Sequence, residues 1–507
     1  MNGKSLAASC LGLIASLLGA CSLAPRYKPP ATEEIAGYKE AGDWSRGSGD
    51  VPSGDWVPAL PADTQQRGPW WGVFGDPRLN ELEKQLNAAN PDLHAAVARF
   101  EEARAVARQD ISNEFPTLGL GAAATRARSS ATAPLENLIG NVPATSNNFL
   151  ASLNLNWEID LFGRLRNAAA AARAQAQSSE ADAAAVALSL QAELASDYFN
   201  LGGDDTTIAL LEDTIKVYDR AYELTKNRYQ EGISAATDVD QADTLRQSAR
   251  AQLASVRRDR AQLEHAIAVL LGVMPSTFGL QPAQLAGSIP VIDSGLPSVL
   301  LQRRPDVARA ERLVAAANAQ IGVARAAWFP IFTLTGEAGF QSISSSQWFK
   351  APSRMWSVGP SATVPLLDFG ARSAANQQAR ASYDEAVANY RKTTLTAYQE
   401  VEDNLAALHH LADEVVADEA ASKSAQSAAN HSDKRYDAGV ADYVEVTTTH
   451  TAALQEERDA ISARVLQLNA AVALVRATGG GWTRDQIGEE SPMKNSGIVN
   501  SFDRQHE

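Results

Sequence analysis

The most regular pattern in the chain is an alternation of apolar and polar residues in two distant segments. From 149 to 161 every odd position is apolar, and from 356 to 366 every even position is apolar. Segments 117–126 and 331–342 alternate in the same way but more weakly. A period of two places successive side chains on opposite faces of a β-strand. The sequence therefore predicts four strands, each with one apolar and one polar face.

The four predicted strands have the length of membrane-spanning strands, because a tilted strand of about 10 residues crosses a bilayer. Trp157, Trp328 and Trp356 lie near strand ends, where membrane proteins place interfacial aromatic residues. The alternative is a soluble sandwich, although two strand pairs separated by long helical segments form a poor one. Four strands also cannot close a membrane barrel, which needs about eight. Because open edges do not survive in lipid, several chains would have to share one barrel.

Two long segments are predicted to form helical hairpins. The distance from Gly163 to Gly232 equals that from Gly370 to Gly439, which is 69 residues. Apolar residues recur every seven positions in the second copy, as in a coiled-coil seam: Val401, Leu408 and Val415, then Leu454, Ile461, Leu468 and Val475. Gly202-Gly203 predicts a kink or break in the first copy. A lipid-anchored coiled-coil protein without a pore is the alternative that such hairpins alone would allow.

The chain is an internal duplication. Phe115-Pro116 reappears as Phe329-Pro330 at an offset of 214 residues, and Phe162-Gly163 reappears as Phe369-Gly370 at an offset of 207. Each half is predicted to run helix, strand, loop, strand, long helix, turn, helix. The predicted domains are a signal peptide (1–20), an extended lipid-anchored segment (21–69), a first repeat (70–278), a second repeat (279–482) and a polar tail (483–507).

The N-terminus predicts export and lipid attachment. Residues 6–20 are apolar or small, as in a secretory signal, and the segment Leu18-Gly19-Ala20-Cys21 resembles the bacterial lipobox. Cys21 would then carry the lipid, and Ser22 after it resembles an outer-membrane sorting signal. The alternative is an ordinary signal peptide with an incidental cysteine.

Charge and motifs exclude several functions. The net charge of −15 opposes nucleic-acid binding, and two cysteines exclude a disulfide scaffold. The sequence has no phosphate-binding loop and no G-x-S-x-G nucleophile motif. Its seven histidines lack metal-ligand spacing. We therefore expect no enzymatic activity, no cofactor and no metal site.

The turns of the two hairpins carry the same motif, Arg228-Tyr229-x-x-Gly232 and Arg435-Tyr436-x-x-Gly439. Acidic residues surround both turns: Glu231, Asp238 and Asp240, then Asp437, Asp442 and Glu445. Taken singly, these acids are typical of helix caps and solvated charges. In a closed oligomer they would instead form rings of acids around an opening, which favour cations.

Several motifs together resemble a known family. The run from Leu300 to Glu311, which contains Arg303-Arg304-Pro305-Asp306, and the run Ala324–Pro330 resemble the signature of outer membrane factors of the TolC/OprM type, in particular NodT-like efflux lipoproteins. The segment Trp70-Trp71-x-x-Phe74-x-Asp76-Pro77-x-Leu79 and the two Arg-Tyr-x-x-Gly turns agree with it. The resemblance covers nearly all of residues 21–482.

The resemblance implies an all-α periplasmic helical barrel joined to a transmembrane β-barrel, with twelve strands shared by a homotrimer. It implies a lipid-anchored outer-membrane protein that serves as the passive exit duct of a tripartite pump, with a periplasmic adaptor protein and a proton-driven RND-type inner-membrane transporter as partners. The outer-membrane duct of a type I protein secretion system remains an alternative.

The resemblance also assigns roles at the hairpin turns. It places Asp238, Glu445 and Asp442 in an acidic iris that closes the periplasmic end. It places adaptor docking at the two turn motifs: Arg228, Tyr229, Gly232, Arg435, Tyr436 and Gly439. Many relatives carry an aspartate three residues after the position of Glu445, and this chain has Thr448 there. Glu445 is therefore the stronger candidate for the gate.

Overall fold

The structure is a computed structural model that describes residues 22–31, 38–41, 70–128, 145–285 and 304–480. The signal peptide, Cys21 and the predicted tail 483–507 lie outside the described residues. The long helices are α1 (Pro77–Ala89), α2 (Pro91–Ser112), α3 (Arg164–Gln230), α4 (Ala236–Leu270), α5 (Pro305–Ala326), α6 (Ala371–Asp437) and α7 (Tyr443–Ala477). The strands are β1 (Thr117–Arg128), β2 (Thr145–Ile159), β3 (Ile331–Ser342) and β4 (Arg354–Thr363).

The four strands form one antiparallel sheet in the order β1-β2-β3-β4. This confirms the four predicted strands, with shifted ends. Strand β2 starts at Thr145, earlier than the alternation at 149 suggested, and β4 ends at Thr363 although the alternation continues to Leu366. Within the chain β1 and β4 are the two edges of the sheet.

The strand register collects the apolar residues on one face. Leu155 of β2 lies opposite Leu118 of β1 and Gly336 of β3. On the other face Asn154 lies opposite Gly119 and Glu337. A one-residue slip would exchange the two faces, so the apolar pattern and the pairing specify the same register.

The duplication is visible in the way each half begins. The Asn90 side chain caps α2 by accepting from the Leu93 N–H at 2.9 Å, and its amide donates to the Leu270 carbonyl at 2.7 Å. In the second half Arg304 donates to the Ala477 carbonyl at 3.1 Å, which is the equivalent position at the end of the return helix. Arg304 is buried and also donates to Glu400 at 2.7 Å. Arg304 therefore attaches the start of α5 to the end of the return helix α7, as Asn90 attaches the start of α2 to the end of α4.

The chain divides into two compact units, each built from both halves of the duplication. The strand unit comprises Met1–Pro30, Phe100–Ser178 and Ala310–Tyr390, and the hairpin unit comprises Ala31–Arg99, Ser179–Arg309 and Arg391–Glu507. The predicted repeats are therefore units of duplication and not units of packing. Their exact boundaries stay a prediction.

Helix packing in the hairpin unit follows the predicted seams. Val401, Leu408 and Val415 are all buried, and so are Leu468 and Val475 on the return helix. Helix α7 is long and apolar enough to cross a membrane by composition, and half of its apolar window is buried inside the chain. Such burial is typical of a core helix.

The prediction that the helix breaks at Gly202-Gly203 is wrong. Helix α3 runs unbroken through both glycines. A Cβ atom on Gly203 would lie 2.5 Å from Cγ2 of Val465 on α7. Gly203 therefore allows α3 and α7 to approach closely. The sequence of one helix does not show whether a glycine serves such an approach or a kink.

The segment that follows Cys21 packs on the strand unit. Ser22 donates to the Asn167 side chain at 2.9 Å, near the start of α3. The Asn318 amide donates to the Pro25 carbonyl at 2.9 Å, and Arg325 donates to the Leu23 carbonyl at 3.2 Å. Residues 22–25 of the predicted extended segment are thus held by side chains of α3 and α5.

Glu83 on α1 is an acid in the core of the hairpin unit. It is fully buried, and neither carboxyl oxygen has a hydrogen-bond partner among the described residues. Burial disfavours the charged form and raises the pKa of Glu83 to about 9. The folded chain therefore keeps this carboxyl group protonated at neutral pH.

This buried acid predicts a pH-dependent stability. The folded state retains a proton that the unfolded state loses above the ordinary pKa of 4.5. The free energy of unfolding therefore falls as the pH rises through this window, by at most about 1.4 kcal/mol per pH unit. We expect Glu83→Gln to raise the melting temperature at pH 8 and to change it little at pH 4.5, as followed by circular dichroism. Glu81→Gln, on the exposed face of α1, is the control. An equal effect of Glu83→Gln at both pH values would contradict the assignment.

Candidate functional site

The two Arg-Tyr-x-x-Gly motifs form the same turn. At the end of α3 the Gly232 N–H donates to the Tyr229 carbonyl at 3.0 Å and the Ile233 N–H donates to the Arg228 carbonyl at 2.8 Å. At the end of α6 Gly439 and Val440 make the equivalent bonds to the Tyr436 and Arg435 carbonyls, both at 3.0 Å. This is the Schellman arrangement that ends many helices. The glycines have φ of 73° and 71°, a left-handed conformation that favours glycine.

Two of the predicted gate acids cap the return helices. The Asp238 carboxylate accepts from the Ala235 N–H at 3.3 Å, at the start of α4. Asp442 is the residue before α7, and its carboxylate accepts from the Glu445 N–H at 3.3 Å. Both carboxylates lie at the positive end of a helix dipole, where a negative charge is stabilised. Asp238 and Asp442 therefore have the helix-capping role that is typical of such acids taken singly.

The two motif arginines pair with acids. Arg435 Nε lies 3.1 Å from Glu445 Oε1, a contact between α6 and α7 within the second hairpin. Arg228 at the end of α3 lies 3.9 Å from Asp437 at the end of α6. Arg228 thus connects the first hairpin to the second. Glu445, the stronger gate candidate, is partly exposed and is paired within its own hairpin.

Aromatic residues support the Arg228 contact. The Arg228 guanidinium lies 4.8 Å from the centre of the Tyr436 ring, and this ring meets Tyr443 edge-on at 5.2 Å. Tyr443 is buried, and burial raises its pKa to about 12. A small core of residues from both hairpins surrounds these rings: Ala242, Tyr443 and Val446, with Tyr222 and Tyr436 packed against them.

The duplicated tyrosines have different surroundings. Tyr436 packs in this small core, whereas Tyr229 is 49% exposed. Other apolar side chains are exposed close to the two turns: Ile233, Val440 and Val444. Exposed apolar groups at a turn suit contact with another protein. The sequence motif alone does not distinguish Tyr229 from Tyr436.

A polar contact between α6 and α7 was not predicted from the sequence. His450 Nε2 lies 2.8 Å from Asp433 Oδ1, and the hydroxyl groups of the adjacent residues Ser432 and Thr449 are 2.6 Å apart. Comparison of the two halves could have drawn attention to this pair. At the offset of 207 residues the first hairpin carries Lys226 and Asp243, again one basic and one acidic residue type.

The described residues contain no group of histidine, cysteine or acidic residues that could hold a metal ion. The chemistry available at the turns is that of ion pairs, hydrogen bonds and exposed apolar surface. Such a site can hold two hairpins together, present charge to an opening and contact another protein.

A family model described as outer membrane efflux protein matches residues 82–273 and 296–480. The two matched segments lie one in each half of the duplication. Among curated relatives, the antibiotic efflux pump outer membrane protein ArpC of Pseudomonas putida is 31% identical over 474 residues, which are 93% of this chain and 95% of ArpC. Outer membrane protein OprJ of Pseudomonas aeruginosa is 34% identical over 477 residues, with the same coverage of 93% and 95%.

Solved structures agree with this relationship. The CmeC outer membrane channel of Campylobacter jejuni has a TM-score of 0.81 and 25% identity, and the match covers 94% of this chain and 97% of CmeC. The MtrE outer membrane channel of Neisseria gonorrhoeae, solved in an open state, has a TM-score of 0.78 and 28% identity, with 92% and 99% coverage.

Proposed function

The chain belongs to the outer membrane efflux protein family, and from this premise we propose that it forms, as a homotrimer, the passive exit duct of a tripartite efflux pump. The observation that carries the proposal is the four-stranded sheet with one apolar and one polar face, in a chain that matches efflux channels over nearly its whole length. Three copies would supply twelve strands, enough for a water-filled barrel.

The two faces of the sheet give the duct its chemistry. Side chains such as Leu153 and Leu155 face lipid, and Asn154 and Glu337 face the lumen. A lumen lined by amides, hydroxyls and small residues lets polar and apolar solutes pass without binding them tightly. Energy would come from the partners, namely a periplasmic adaptor protein and a proton-driven RND-type transporter of the inner membrane.

The hairpin turns are proposed as the periplasmic gate and the adaptor contact. In a trimer Asp238, Asp442 and Glu445 would each occur three times around the opening. The contact of Arg228 with Asp437 and Tyr436 supports a closed arrangement, because it connects the two hairpins of one chain. Exposed Tyr229 beside Gly232 and the equivalent turn at Gly439 would contact the adaptor.

Lipid attachment at Cys21 is a further part of the proposal. The position of Ser22, which is hydrogen-bonded to Asn167 in the strand unit, supports it. Asn167 follows the end of β2 by only 8 residues, so Cys21 would lie close to one rim of the sheet, where acyl chains can enter the bilayer. Several acyl chains give firm anchoring, whereas one gives marginal binding.

Labelling tests this anchor directly. Cells expressing the wild-type chain are grown with radioactive palmitate, and we expect label in the mature chain. Cys21→Ala should remove the label, whereas Ser22→Ala should keep it. Label retained in Cys21→Ala would show that another residue carries the lipid.

The duct itself is tested in planar bilayers. The purified full-length protein should give discrete single-channel conductance steps, either directly or after alanine substitution of the gate acids. A preparation of folded trimers that never conducts in either form would contradict the duct and would favour a structural role for the helical hairpins.

A further inference from the structure

One end of the sheet lies away from the long helices. Helices α2 and α5 lead into β1 and β3, and α3 and α6 follow β2 and β4, so all four helices meet the sheet at the same end. In an outer-membrane chain whose helices extend into the periplasm, the opposite end of the sheet faces outwards. We call the described residues 124–128, 145–149 and 340–356 at that end the outer rim.

Three arginines of the outer rim lie on the apolar face of the sheet. Arg126 and Arg128 occupy even positions of β1, as Leu120 does nearer the helices. Arg354 is the first residue of β4 and lies opposite Phe340 of β3. All three arginines are exposed. Because alternate residues of a strand and opposite residues of a pair share a face, these arginines belong to the face that meets lipid.

The height of these arginines suits a lipid headgroup. Arg126 lies 8 residues beyond Leu118, which is about 26 Å along the strand and about 20 Å across the bilayer for a strand tilted by about 40°. The apolar band of an outer-membrane barrel is about 25 Å tall. Long arginine side chains extend outwards from the apolar region and place their charge in the headgroup layer.

The outer rim is basic although the whole chain has a net charge of −15. Its described residues include no aspartate or glutamate, and its basic residues are Arg126, Arg128, Lys350 and Arg354. At the helix end of the sheet, in contrast, three arginines pair with acids: Arg164 with Glu158, Arg166 with Asp160 and Arg372 with Asp368. The two ends of the sheet therefore present different charge to the two leaflets of the membrane.

Four aromatic rings cover the apolar face beside the arginines. Trp348 lies 5.4 Å from Phe149 and stacks on Phe349 at 4.8 Å, and Phe349 meets Phe340 at 5.6 Å. Phe149 and Phe340 belong to the apolar faces of β2 and β3, so the connection from β3 to β4 packs on the lipid side. Phe349 is 65% exposed and Trp356 is 77% exposed. This surface can receive acyl chains directly below the basic groups.

We propose that the outer rim binds the phosphorylated glycolipid of the outer leaflet, lipopolysaccharide, with Arg126, Arg128 and Arg354 on its phosphates and the aromatic rings along its acyl chains. Guanidinium groups form paired, charge-assisted hydrogen bonds with phosphate. The glycolipid is favoured over phospholipid because the unbalanced positive charge occurs only at the outer end, among the described residues of the two ends. The proposal rests on the membrane orientation of the proposed duct and adds a lipid partner to it.

Titration with purified lipopolysaccharide tests the proposal. The full-length trimer in detergent is titrated with fluorescently labelled deep-rough lipopolysaccharide, which carries the lipid A phosphates and a short sugar core. Arg126→Gln, Arg128→Gln and Arg354→Gln together should weaken binding about ten-fold or more, because the phosphates lose their charged donors. Lysine at the same three positions keeps the charge and loses the paired geometry, so it should recover part of the affinity.

The matched control removes the same charge from the hairpins. Arg220, Arg257 and Arg258 are exposed arginines on α3 and α4. Glutamine at all three should leave the affinity for lipopolysaccharide within about two-fold of wild type. An equal loss in the control and in the rim variant would show that overall charge, and not the outer rim, governs binding.

Two further lipids separate the sources of phosphate. Enzymatically dephosphorylated lipopolysaccharide should bind wild type about as weakly as intact lipopolysaccharide binds the glutamine variant. Phosphatidylglycerol vesicles should bind reconstituted wild type and variant weakly and alike. Strong binding of wild type to phosphatidylglycerol would overturn the assignment to the glycolipid, and wild-type affinity in the glutamine variant would overturn the arginine site.

The aromatic part of the surface has its own readout. Phe349→Ala should lower the affinity for intact and for dephosphorylated lipopolysaccharide by the same factor, because the ring contacts acyl chains and not phosphate. A loss restricted to the intact form would contradict this role of Phe349.

Conductance distinguishes failure of this inference from failure of the duct. The glutamine variant should form folded trimers that conduct like wild type, because the three arginines do not face the lumen. Conducting trimers whose lipopolysaccharide binding does not depend on the arginines overturn the inference and leave the duct in place. Folded trimers that bind the glycolipid through the arginines but never conduct overturn the duct alone.

Discussion

Replacing Asp238 and Glu445 together by alanine should raise the single-channel conductance several-fold and make cells more sensitive to bulky antibiotics that the intact duct keeps out. Glu445 holds Arg435 at 3.1 Å, and Asp238 caps the start of α4. The double variant removes up to six negative charges from a trimer opening and releases one contact between the helices of the second hairpin. Both effects favour a wider opening.

The control for this prediction carries the same change of charge elsewhere. Partly exposed Glu212 and exposed Asp213 are acids on α3 that pair with Arg257 and Lys216. Alanine at both should leave conductance and antibiotic sensitivity unchanged. Unchanged permeability of the Asp238→Ala, Glu445→Ala variant in the presence of correctly folded trimers would contradict the gate assignment.

A third variant separates the effect of the Arg435–Glu445 ion pair from the effect of the negative charges at the opening. Arg435→Ala breaks the ion pair but leaves the Glu445 carboxylate in place. If the pair holds the opening closed, this variant should also conduct more. If the negative ring controls the opening, the unpaired carboxylates should make the channel more selective for cations with little change in its closed fraction.

Gly339→Ala should remove most of the folded trimer. Gly339 lies on β3 opposite Ser152, and a Cβ atom there would overlap the Ala151 carbonyl oxygen and lie 2.6 Å from Ser152 Cα. These are backbone atoms of β2, so no side chain can rotate away. The substitution has to push two paired strands apart at the centre of the sheet. The folded fraction is measured by comparing the migration of heated and unheated samples on denaturing gels, and by resistance to trypsin.

Gly336→Ala on the same strand is the matched control. A Cβ atom at Gly336 would meet the Leu155 side chain at 3.5 Å, which is an ordinary van der Waals contact. We expect this variant to yield trimer at the wild-type level. Equal yields from the two variants would show that the strands tolerate separation at Gly339.

Strands, helices and turns were largely predictable because their signals are local. The period of two in β2 depends on neighbouring side chains along one strand, and the turns at Gly232 and Gly439 depend on a few residues with one glycine each. The duplication then fixed the equivalence of the two halves. The seven-residue spacing of Val401, Leu408 and Val415 likewise predicted a seam that is buried.

The errors and omissions concern contacts between distant parts of the chain. Gly203 was predicted to mark a break, because the sequence does not show that Val465, more than 200 residues away, presses against it. The Asp433–His450 pair was not anticipated, since neither residue is unusual in its own helix. Arg228 and Arg435 share one motif, yet one contacts the other hairpin and one contacts its own.

The sequence by itself determined the membrane strands, the helical hairpins, the duplicated halves and the glycine turns, because each rests on backbone periodicity or on the conformation of single residues. Tertiary structure decided what equivalent residues do. It stacked Phe162 on Phe329 and left Phe369, which follows the edge strand β4, exposed. The physical reason is that both halves have the same local preferences, whereas the folded chain places a neighbouring strand beside β2 and leaves β4 at an edge of the sheet.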